Sequence, residues 1–254
     1  MTKKDAAPSV AGRLTGRRVL MTGAASGIGL ATARKFAQAG ATLALFDRNA
    51  AGLQAIAGEL GVFSATVDLV DESAIRDAVA AAARSLGGLD GVVNVAGLGG
   101  IGDPLGDMKL ADWNYVLAVN LTAPFLVSRE ALPHLTQAGG GTIVNVASAS
   151  GLAPTAPCMG AYCASKGGVV MFSKAMAMEL APSIRVNVVC PGAVDTPLLV
   201  DAFRTAVKSA SSPYALKRLA EADEIANVIL FLTSAESSFV TGTAFAVDGG
   251  RTYH

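Results

Sequence analysis

Short apolar segments alternate with segments of helical periodicity along most of this 254-residue chain, and this alternation restricts its possible folds more than any other feature. The first apolar run, Arg17–Thr22, leads through a glycine-rich turn into Gly27–Gln38, where apolar residues recur at helical spacing. A second apolar run, Ala41–Phe46, follows Gly40. A strand, a helix and a strand in this order make a βαβ unit.

The same rhythm continues to the C-terminus. Further strands are predicted at Val62–Val67, Leu89–Val93, Thr142–Ala147, Ile184–Val189 and Ala244–Val247. The other predicted helices are Ala50–Leu60, Asp71–Leu86, Leu110–Thr136 with a bend at Pro124, Tyr162–Leu180 and Glu221–Thr233. We therefore expect a single α/β domain over residues 13–254, with a Rossmann-like, doubly wound parallel sheet of about seven strands and helices on both faces. Residues 1–12 are expected to form a disordered lead-in, and residues 193–217 a long loop that acts as a lid.

Composition and charge exclude several classes of function. Hydrophobic residues make up 52% of the chain and charged residues 16%, which suits a sheet buried between helices. The 20 basic and 20 acidic residues balance, so no nucleic-acid partner and no anionic membrane surface is indicated. No apolar run reaches the roughly 18 residues of a membrane span, and Met1–Gly12 lacks the apolar core of a secretory signal. We expect a cytoplasmic protein with a small-molecule partner.

The cysteines and histidines favour no metal or redox chemistry. The spacing of Cys158, Cys163 and Cys190 matches no zinc or redox motif. We expect these cysteines to be buried, to pack as small apolar residues and to stay reduced in the compartment where the protein resides. His134 and His254 are too few and too isolated for a metal site or a Ser-His-Asp triad. No bound metal is expected.

The first turn of the βαβ unit reads TGAASGIG from Thr22 to Gly29. Glycines there let the backbone turn sharply and approach a pyrophosphate, which the free N–H groups of the next helix would face. A glycine-rich turn can also merely cap a helix, so its position between a strand and a helix matters. The predicted phosphate contacts are Gly23, Ser26, Gly27, Ile28 and Gly29.

An acidic residue, Asp47, ends the second predicted strand, 47 − 29 = 18 residues after Gly29. A carboxylate near this distance accepts hydrogen bonds from the adenosine ribose hydroxyls and repels a 2′-phosphate, which favours NAD. Arg48 beside it could offset that repulsion, so NADP is the alternative cofactor. Asp47 could instead cap the following helix.

Tyr162 and Lys166 are four residues apart, which puts a phenol and an ammonium on one face of a helix. A fixed cation lowers the pKa of a neighbouring phenol, and use of its proton near pH 7 needs a shift worth roughly 4 kcal/mol. Such a pair also occurs by chance on helix surfaces. The pair alone therefore leaves both interpretations open.

Together these motifs resemble those of the short-chain dehydrogenase/reductase superfamily, in its short single-domain branch. The likeness covers about Leu14 to Gly250. The matching segments are the TGxxxGIG turn, NVAG at Asn94–Gly97 where the family has NNAG, YxxxK at Tyr162 and Lys166, Pro191-Gly192, Asp195-Thr196, Thr241-Gly242 and Asp248–Gly250.

The resemblance implies an enzyme that transfers a hydride between NAD and a secondary alcohol or ketone. Tyr162 would be the general acid or base, and Lys166 would lower its pKa and hold the nicotinamide ribose. Ser148 would stabilise charge on the substrate oxygen, with Ser150 as a minor rival, and Asn120 would place a water that carries protons to solvent. Alternatively, Ser148 is a turn residue at a strand end, and Asn120 satisfies backbone groups at the bend of the long helix.

The resemblance also implies further cofactor contacts. They are Asn94, Ala96 and Gly97 after the fourth strand, Asp68 and Leu69 at the adenine, and Pro191, Gly192, Val194 and Thr196 beside the nicotinamide. Asp68 could instead cap the helix that follows it.

The expected edges of the substrate pocket are largely apolar. They are Leu152, Ala153, Pro154, Met159, Leu198, Leu199 and Phe203. Since no Arg or Lys is placed to meet a carboxylate or phosphate, we expect a neutral, largely apolar alcohol or ketone. The helix from Tyr162 is apolar nearly all round, and with the resemblance this predicts a homo-oligomer, a tetramer rather than a dimer.

Rival functions stay open beside this one. A non-catalytic nicotinamide-dinucleotide sensor on the same fold need not keep the Ser-Tyr-Lys-Asn set, and an NADP-dependent 3-oxoacyl-type ketoreductase would share it. Epimerases and dehydratases with YxxxK are usually longer. Enoyl reductases usually have Tyr and Lys farther apart.

Overall fold

The computed structural model describes residues 9–99, 103–199, 201–209 and 211–252, so residues 1–8 of the predicted lead-in lie outside the described part. Seven parallel strands of these residues form one sheet in the order β3-β2-β1-β4-β5-β6-β7. The strands are β1 Arg18–Thr22, β2 Thr42–Asp47, β3 Phe63–Thr66, β4 Gly91–Asn94, β5 Gly141–Val146, β6 Ile184–Pro191 and β7 Ala244–Val247. The predicted doubly wound α/β fold is confirmed.

Helices cover both faces of this sheet. They are α1 Gly27–Gln38, α2 Ala50–Leu60, α3 Glu72–Leu86, α4 Leu110–Leu117, α5 Ala123–Gln137, α6 Gly160–Leu180, α7 Asp201–Lys208 and α8 Ala222–Thr233. Within the described ranges, no helix has the length and apolar character needed to cross a membrane.

The strands are apolar on both sides because both of their faces are buried. In β1, Val19 and Met21 pack with α1, α2 and α8, whereas Leu20 faces the opposite way and packs with α3 and α5. These alternating directions give the protein two hydrophobic layers, one on each face of the sheet.

The chain order of the strands creates a crevice at the carboxyl end of β1. β1 pairs with β2 on one side and with β4 on the other, so the connections leave this point in opposite directions. Thr22 at the end of β1 is level with Asn94 at the end of β4. Ligands of open α/β sheets bind at such a point, where the strand order reverses.

The predicted long helix over Leu110–Thr136 is two α-helices joined by a π-helical turn, Ala118–Thr122. The Ala123 N–H donates across this wider turn to the Ala118 carbonyl. Pro124 follows in the first turn of α5, where its missing N–H breaks no α-helical hydrogen bond. The interruption expected at Pro124 thus occurs just before it, as a change of helix type.

The predicted loop over residues 193–217 contains a helix, α7, which the sequence analysis did not predict. The two ends of this segment are tied together, since the Ala220 N–H donates to the Ala193 carbonyl at 3.0 Å. A small apolar cluster of Ala193, Val207, Tyr214 and Leu219 fills the space between them. The prediction of a structureless loop was wrong because these tertiary contacts stabilise a helix that is short.

Candidate active site

The predicted site residues meet at the carboxyl edge of the sheet, around the end of β1. Gly23 has a φ of +72°, and a Cβ there would lie 2.6 Å from the Ala96 nitrogen, so a side chain would push β1 away from the loop after β4. A Cβ at Gly29 would lie 1.9 Å from the Gly23 carbonyl oxygen. These two contacts explain why the turn needs glycine.

The N-terminus of α1 is free to face an anion. Ser26 occupies the capping position with an extended backbone, but its side chain makes no capping hydrogen bond. The first turn of α1 contains no acidic residue. The exposed N–H groups and the positive end of the helix dipole therefore remain available to a phosphate.

Asp47 lies at the end of β2 and faces the same turn. Its carboxylate accepts from the Ala25 N–H and the Asn49 N–H, each at 2.9 Å. The N-cap of α2 is Asn49, which accepts from the Gly52 N–H, so Asp47 is not the helix cap considered above. Two hydrogen bonds leave a carboxylate with lone pairs for further donors.

The Arg48 guanidinium points away from Asp47. Arg48 is exposed and donates to the Tyr115 hydroxyl at 3.0 Å. Among the ion pairs of the described residues, none involves Asp47, so its negative charge stays unneutralised.

At the end of β3, Asp68 and Leu69 have different surroundings. Asp68 is exposed and accepts from the Val70 N–H, while the N-cap of α3 is Asp71, so Asp68 does not cap that helix. Leu69 is buried in the layer packed on α3. The Leu69 side chain therefore packs in the core, and contact of Asp68 or of the Leu69 backbone with an adenine stays a prediction.

Asn94 is buried inside the sheet edge, away from the cleft. Its amide donates to the Asn145 Oδ1 at 2.9 Å and to the Ser128 Oγ at 3.3 Å. Its own Oδ1 has no hydrogen-bond partner in the part of the chain that is described. The predicted direct cofactor contact is thus better suited to Ala96 and Gly97, which follow it at the cleft.

Tyr162 and Lys166 both lie on α6, as their spacing predicts. The Lys166 Nζ lies 5.9 Å from the centre of the Tyr162 ring and donates to the Val146 carbonyl at 3.1 Å. Lys166 is only 4% exposed, and burial lowers its pKa to about 8. The ammonium form therefore still predominates at pH 7.

Ser148 lies at the end of β5 and lines the same cavity as Tyr162, and hydrogen bonding from its hydroxyl acts to lower the pKa of the phenol. Burial raises the pKa of Tyr162 above its ordinary value, and the bond to Ser148 offsets this only in part. In the protein alone, loss of hydration outweighs the other influences on this pKa, and the lowering expected from Lys166 together with the positive nicotinamide stays a prediction. Ser150, the rival serine, instead shares a hydrogen bond with the Thr155 hydroxyl at 2.6 Å.

Asn120 lies within the π-helical turn and is fully buried. Its Oδ1 accepts from the Leu98 N–H at 2.7 Å, and its Nδ2 donates to the Ser165 Oγ at 3.2 Å. It therefore joins α6 to the loop after β4 and does not serve the Pro124 region. A Cβ on Gly97 would lie 3.1 Å from the Lys166 Nζ and 3.2 Å from the Asn120 Oδ1, so these two polar groups flank the same glycine.

The segment after β6 closes the cleft from the other side. Gly192, next to Pro191, donates its N–H to the Val247 carbonyl at 3.1 Å, and Val194 is buried. Thr196 reaches the glycine-rich turn, since a Cβ on Gly27 would lie 3.1 Å from the Thr196 Cγ2. The turn after β6 therefore lies directly over the start of α1.

A cavity of about 340 Å³ lies between these elements. Ser148, Tyr162, Gly97 and Thr196 line it, and Lys166 is the one charged side chain among its described lining residues. Of the predicted pocket edges, Met159, Leu198 and Leu199 line the cavity. The described lining does not include Leu152, Ala153 or Pro154, and the Phe203 side chain lies outside the described part.

The sequence analysis did not predict several residues that line the cavity. Thr155 and Cys158 come from the loop between β5 and α6, and Tyr214 comes from the segment after α7. Cys158 is exposed and has a φ of 60°, so the prediction that all the cysteines are buried was wrong for a residue at the rim of the cavity. The predicted pocket edges already included Met159 from the same loop.

The described residues contain no group of three His, Cys, Asp or Glu side chains that could hold a metal ion. What converges here is a phenol, a hydroxyl, a buried ammonium and an amide, beside a helix N-terminus that is free of acidic groups. Such a set can bind a dinucleotide and exchange one proton with a substrate oxygen.

A family model described as "Enoyl-(Acyl carrier protein) reductase" matches residues 23–252. With the doubly wound sheet and the relatives below, this match shows that the chain belongs to the short-chain dehydrogenase/reductase superfamily. The superfamily uses nicotinamide dinucleotide cofactors.

Two curated relatives span almost the whole chain. The 2,5-dichloro-2,5-cyclohexadiene-1,4-diol dehydrogenase LinX of Sphingobium indicum is 35% identical over 250 residues, which are 95% of this chain and 98% of the relative. The cis-4-hydroxycyclohexanecarboxylate dehydrogenase of Sinomonas cyclohexanicum is 39% identical over 244 residues, 93% of this chain and 96% of the relative.

Among solved structures, the 3-ketoacyl-(acyl-carrier-protein) reductase of Brucella melitensis complexed with NADH superposes with a TM-score of 0.87 at 35% identity. The match covers 94% of this chain and 99% of that one. These relatives are dehydrogenases and a reductase, and they support an oxidoreductase that acts on alcohols or ketones.

Proposed function

We propose that this protein is an NAD-dependent oxidoreductase that interconverts a secondary alcohol and a ketone, with Tyr162 as the general acid or base. The observation that carries this proposal is that Ser148, Tyr162 and the buried Lys166 line one cavity. A phenol that is held by a hydroxyl beside a fixed cation is suited to move a proton to or from a substrate oxygen.

The residues fit the cofactor at two places. The N-terminus of α1 offers uncapped N–H groups to the diphosphate, and Asp47 offers free lone pairs to the adenosine ribose. The unneutralised carboxylate would repel a 2′-phosphate, which favours NAD over NADP. When bound, the nicotinamide supplies the acceptor or donor of the hydride.

The proton is handled by the chain itself. Tyr162 takes the hydroxyl proton during oxidation and returns it during reduction. The Ser148 Oγ accepts from the Ser150 N–H at 3.1 Å, which orients its hydroxyl so that, with substrate bound, it donates to the substrate oxygen and stabilises developing negative charge. Lys166 keeps a positive charge behind the phenol, and Asn120 places the water through which the proton reaches solvent.

The cavity favours a neutral and largely apolar substrate. Leu98, Met159, Leu198 and Leu199 line it, and no described lining residue other than Lys166 carries a charge. The two curated relatives named above are dehydrogenases of ring alcohols by their names, which agrees with a cyclic substrate.

The test is to follow the absorbance of the reduced cofactor over a panel of cyclic, aromatic and linear alcohols and ketones, with NAD(H) and NADP(H) in parallel. We expect turnover of neutral cyclic substrates with NAD(H). A clear preference for NADP(H) and for 3-oxoacyl thioesters would instead support the ketoreductase alternative.

The Tyr162→Phe variant separates an enzyme from a nicotinamide sensor. It keeps the ring but loses the proton, so we expect activity to fall by at least 10³-fold while NADH binding stays unchanged. A parent protein that binds NADH tightly and turns over no substrate in the panel would favour the sensor.

We also propose that the protein is a cytoplasmic homo-oligomer, with a tetramer favoured. On α6, Met171 and Met178 are 64% and 88% exposed, and the neighbouring Phe125 on α5 is 40% exposed. Large apolar side chains at such exposure favour burial against another surface. Light scattering that gave only a monomer at micromolar concentration would contradict the oligomer.

A further inference from the structure

The loop between β5 and α6 forms one wall of the cavity through Thr155 and Met159. Two contacts hold Thr155 in place. The Thr155 Oγ1 lies 2.6 Å from the Ser150 Oγ, and its carbonyl accepts from the Arg251 guanidinium at 3.0 Å. Thr155 therefore connects the C-terminal end of the chain to the short turn that follows Ser148.

Toward the cavity, this connection runs from Thr155 through Ser150 to Ser148, the serine that lines the cavity with Tyr162. Ser150 is only 6% exposed, so its hydroxyl needs a partner within the protein, which Thr155 provides. The Ser150 N–H in turn donates to the Ser148 Oγ. A displacement of Thr155 would thus move Ser150, and with it the donor that orients the Ser148 hydroxyl.

On the outer side, Arg251 extends from a rigid turn. The Asp248 carboxylate accepts from the Gly250 N–H and the Thr252 N–H, both at 3.0 Å, and from the Thr252 hydroxyl at 2.6 Å. Among the described residues, Arg251 forms no ion pair, and its guanidinium is committed to the Thr155 carbonyl. The position of Arg251 is therefore fixed by the backbone of its own turn, which Asp248 stabilises through these hydrogen bonds.

We propose that Arg251 and Thr155 are positioning residues that act through Ser150 to hold the Ser148 hydroxyl and the substrate-facing wall. This inference rests on the proposed function, since the serine that they position serves the alcohol–ketone reaction. Neither residue exchanges a proton with substrate. Their removal misplaces the donor to the substrate oxygen, which lowers kcat.

The first test compares Thr155→Val, which removes the hydroxyl at nearly constant volume, with Thr155→Ser, which keeps it. We expect Thr155→Val to lower kcat by roughly tenfold, with NADH binding unchanged and the melting temperature slightly lower because the Ser150 hydroxyl loses its partner, and Thr155→Ser to retain activity. Activity of Thr155→Val within twofold of an active parent would overturn the inference and leave the proposed function standing. Equal losses in both variants would also overturn it, because keeping the hydroxyl in Thr155→Ser would then preserve nothing.

The second test needs no turnover. Hydrogen exchange of Arg251→Gln should be faster in the loop over residues 152–159 than in the parent and unchanged in α1, and Arg251→Lys should restore part of the protection. Unchanged exchange in that loop would overturn the inference even in an active enzyme. A parent that turned over no alcohol or ketone would refute the proposed function, and the role of these residues would fall with it.

Discussion

At the scale of single residues, burial works against the chemistry that Tyr162 is proposed to perform. Loss of hydration raises the pKa of the phenol and lowers that of the Lys166 ammonium to about 8. The phenol thus holds its proton more tightly than in water, which suits proton donation to a ketone. Alcohol oxidation needs the deprotonated phenol and is expected to depend on the positive charge of the bound nicotinamide.

These directions predict opposite pH dependences for the two reactions. With saturating NADH, kcat/KM for ketone reduction should be flat near pH 6–7 and fall as pH rises through about 8, where Lys166 loses its proton. Oxidation of the alcohol should increase with pH over the same range, because it consumes the deprotonated phenol. Initial rates at constant ionic strength check both slopes.

The control for this profile is Cys163→Ala. Burial raises the pKa of this neighbouring thiol, which could titrate in the alkaline range. The falling limb of ketone reduction should survive the substitution. A limb that disappeared with Cys163, or a reduction rate that rose with pH, would contradict the assignment to Tyr162 and Lys166.

Cofactor choice is also decided by one residue. Asp47→Asn removes the negative charge and keeps the shape, so the repulsion of a 2′-phosphate should vanish while Arg48 remains nearby. We expect the ratio of kcat/KM for NAD to that for NADP to fall by about 10- to 100-fold, worth about 1.4–2.8 kcal/mol. The matched variant Arg48→Gln should change the ratio in the opposite direction. An unchanged ratio in Asp47→Asn would contradict the proposed ribose contact.

At the scale of elements, α7 lies within the predicted lid, and Arg204 attaches it to the segment after β6 by polar contacts. Its Arg204 forms an ion pair with Asp195 and donates to the Thr196 carbonyl at 2.7 Å. Thr196 lies over the glycine-rich turn, so this attachment connects the lid to the expected position of the nicotinamide. A lid held in this way is partly ordered before the cofactor binds, which favours binding.

Loss of this attachment should weaken cofactor binding more than it affects folding. We expect Arg204→Gln to raise the Kd for NADH about fivefold, equivalent to about 1 kcal/mol, because the lid must then be ordered on binding. The control is Arg76→Gln, which removes an exposed ion pair on α3 far from the lid. Titration by NADH fluorescence measures both, and equal affinities in the two variants would contradict the role of Arg204.

Most helix and strand positions could be predicted, because local chemistry defines them. Gly61 and Gly87 end α2 and α3 in the left-handed conformation, and Asp71 caps α3, and each of these residue types favours the position that it occupies. The π-helical turn could not be predicted, since over five residues its apolar pattern matches that of an α-helix. α7 was missed although Phe203 and Val207 are four residues apart, as on one face of a helix, because a segment of eight residues is short for a helix prediction.

For the site, spacing placed Tyr162 and Lys166 on one helix face, and the family resemblance indicated Ser148 and Asn120. The pKa direction of Tyr162 could not be read from neighbours in sequence, because it depends on how much water the whole fold removes. Nor did spacing indicate that Ser150 orients Ser148 or that Arg251 reaches Thr155, since 96 residues separate the latter pair.

At the scale of the whole molecule, the two ends of the parallel strands have different tasks. The carboxyl ends carry every group of the proposed site, whereas the amino ends carry a polar junction around Asp90. Its carboxylate accepts from Arg17 at 2.7 Å and from Arg18 at 3.0 Å, and its carbonyl accepts from the Thr142 N–H at 3.1 Å. This junction connects the starts of β1, β4 and β5.

Since the two ends are separated by the length of β1, about 17 Å, stability and activity should respond independently. Asp90→Asn leaves two partly buried guanidinium groups without their carboxylate, so we expect a loss of about 2 kcal/mol in the free energy of unfolding. That loss corresponds to a fall in melting temperature of about 4–8 °C.

The Asp90→Asn variant should retain the kcat of the parent at 25 °C, because the groups at the carboxyl edge do not move. Asp77→Asn is the matched control, since its ion pair with Arg76 is 76% and 59% exposed and should contribute almost nothing. Urea denaturation and initial rates on the same preparations separate the two quantities. A loss of kcat in Asp90→Asn at full folding would show that the amino ends of the strands also position the site.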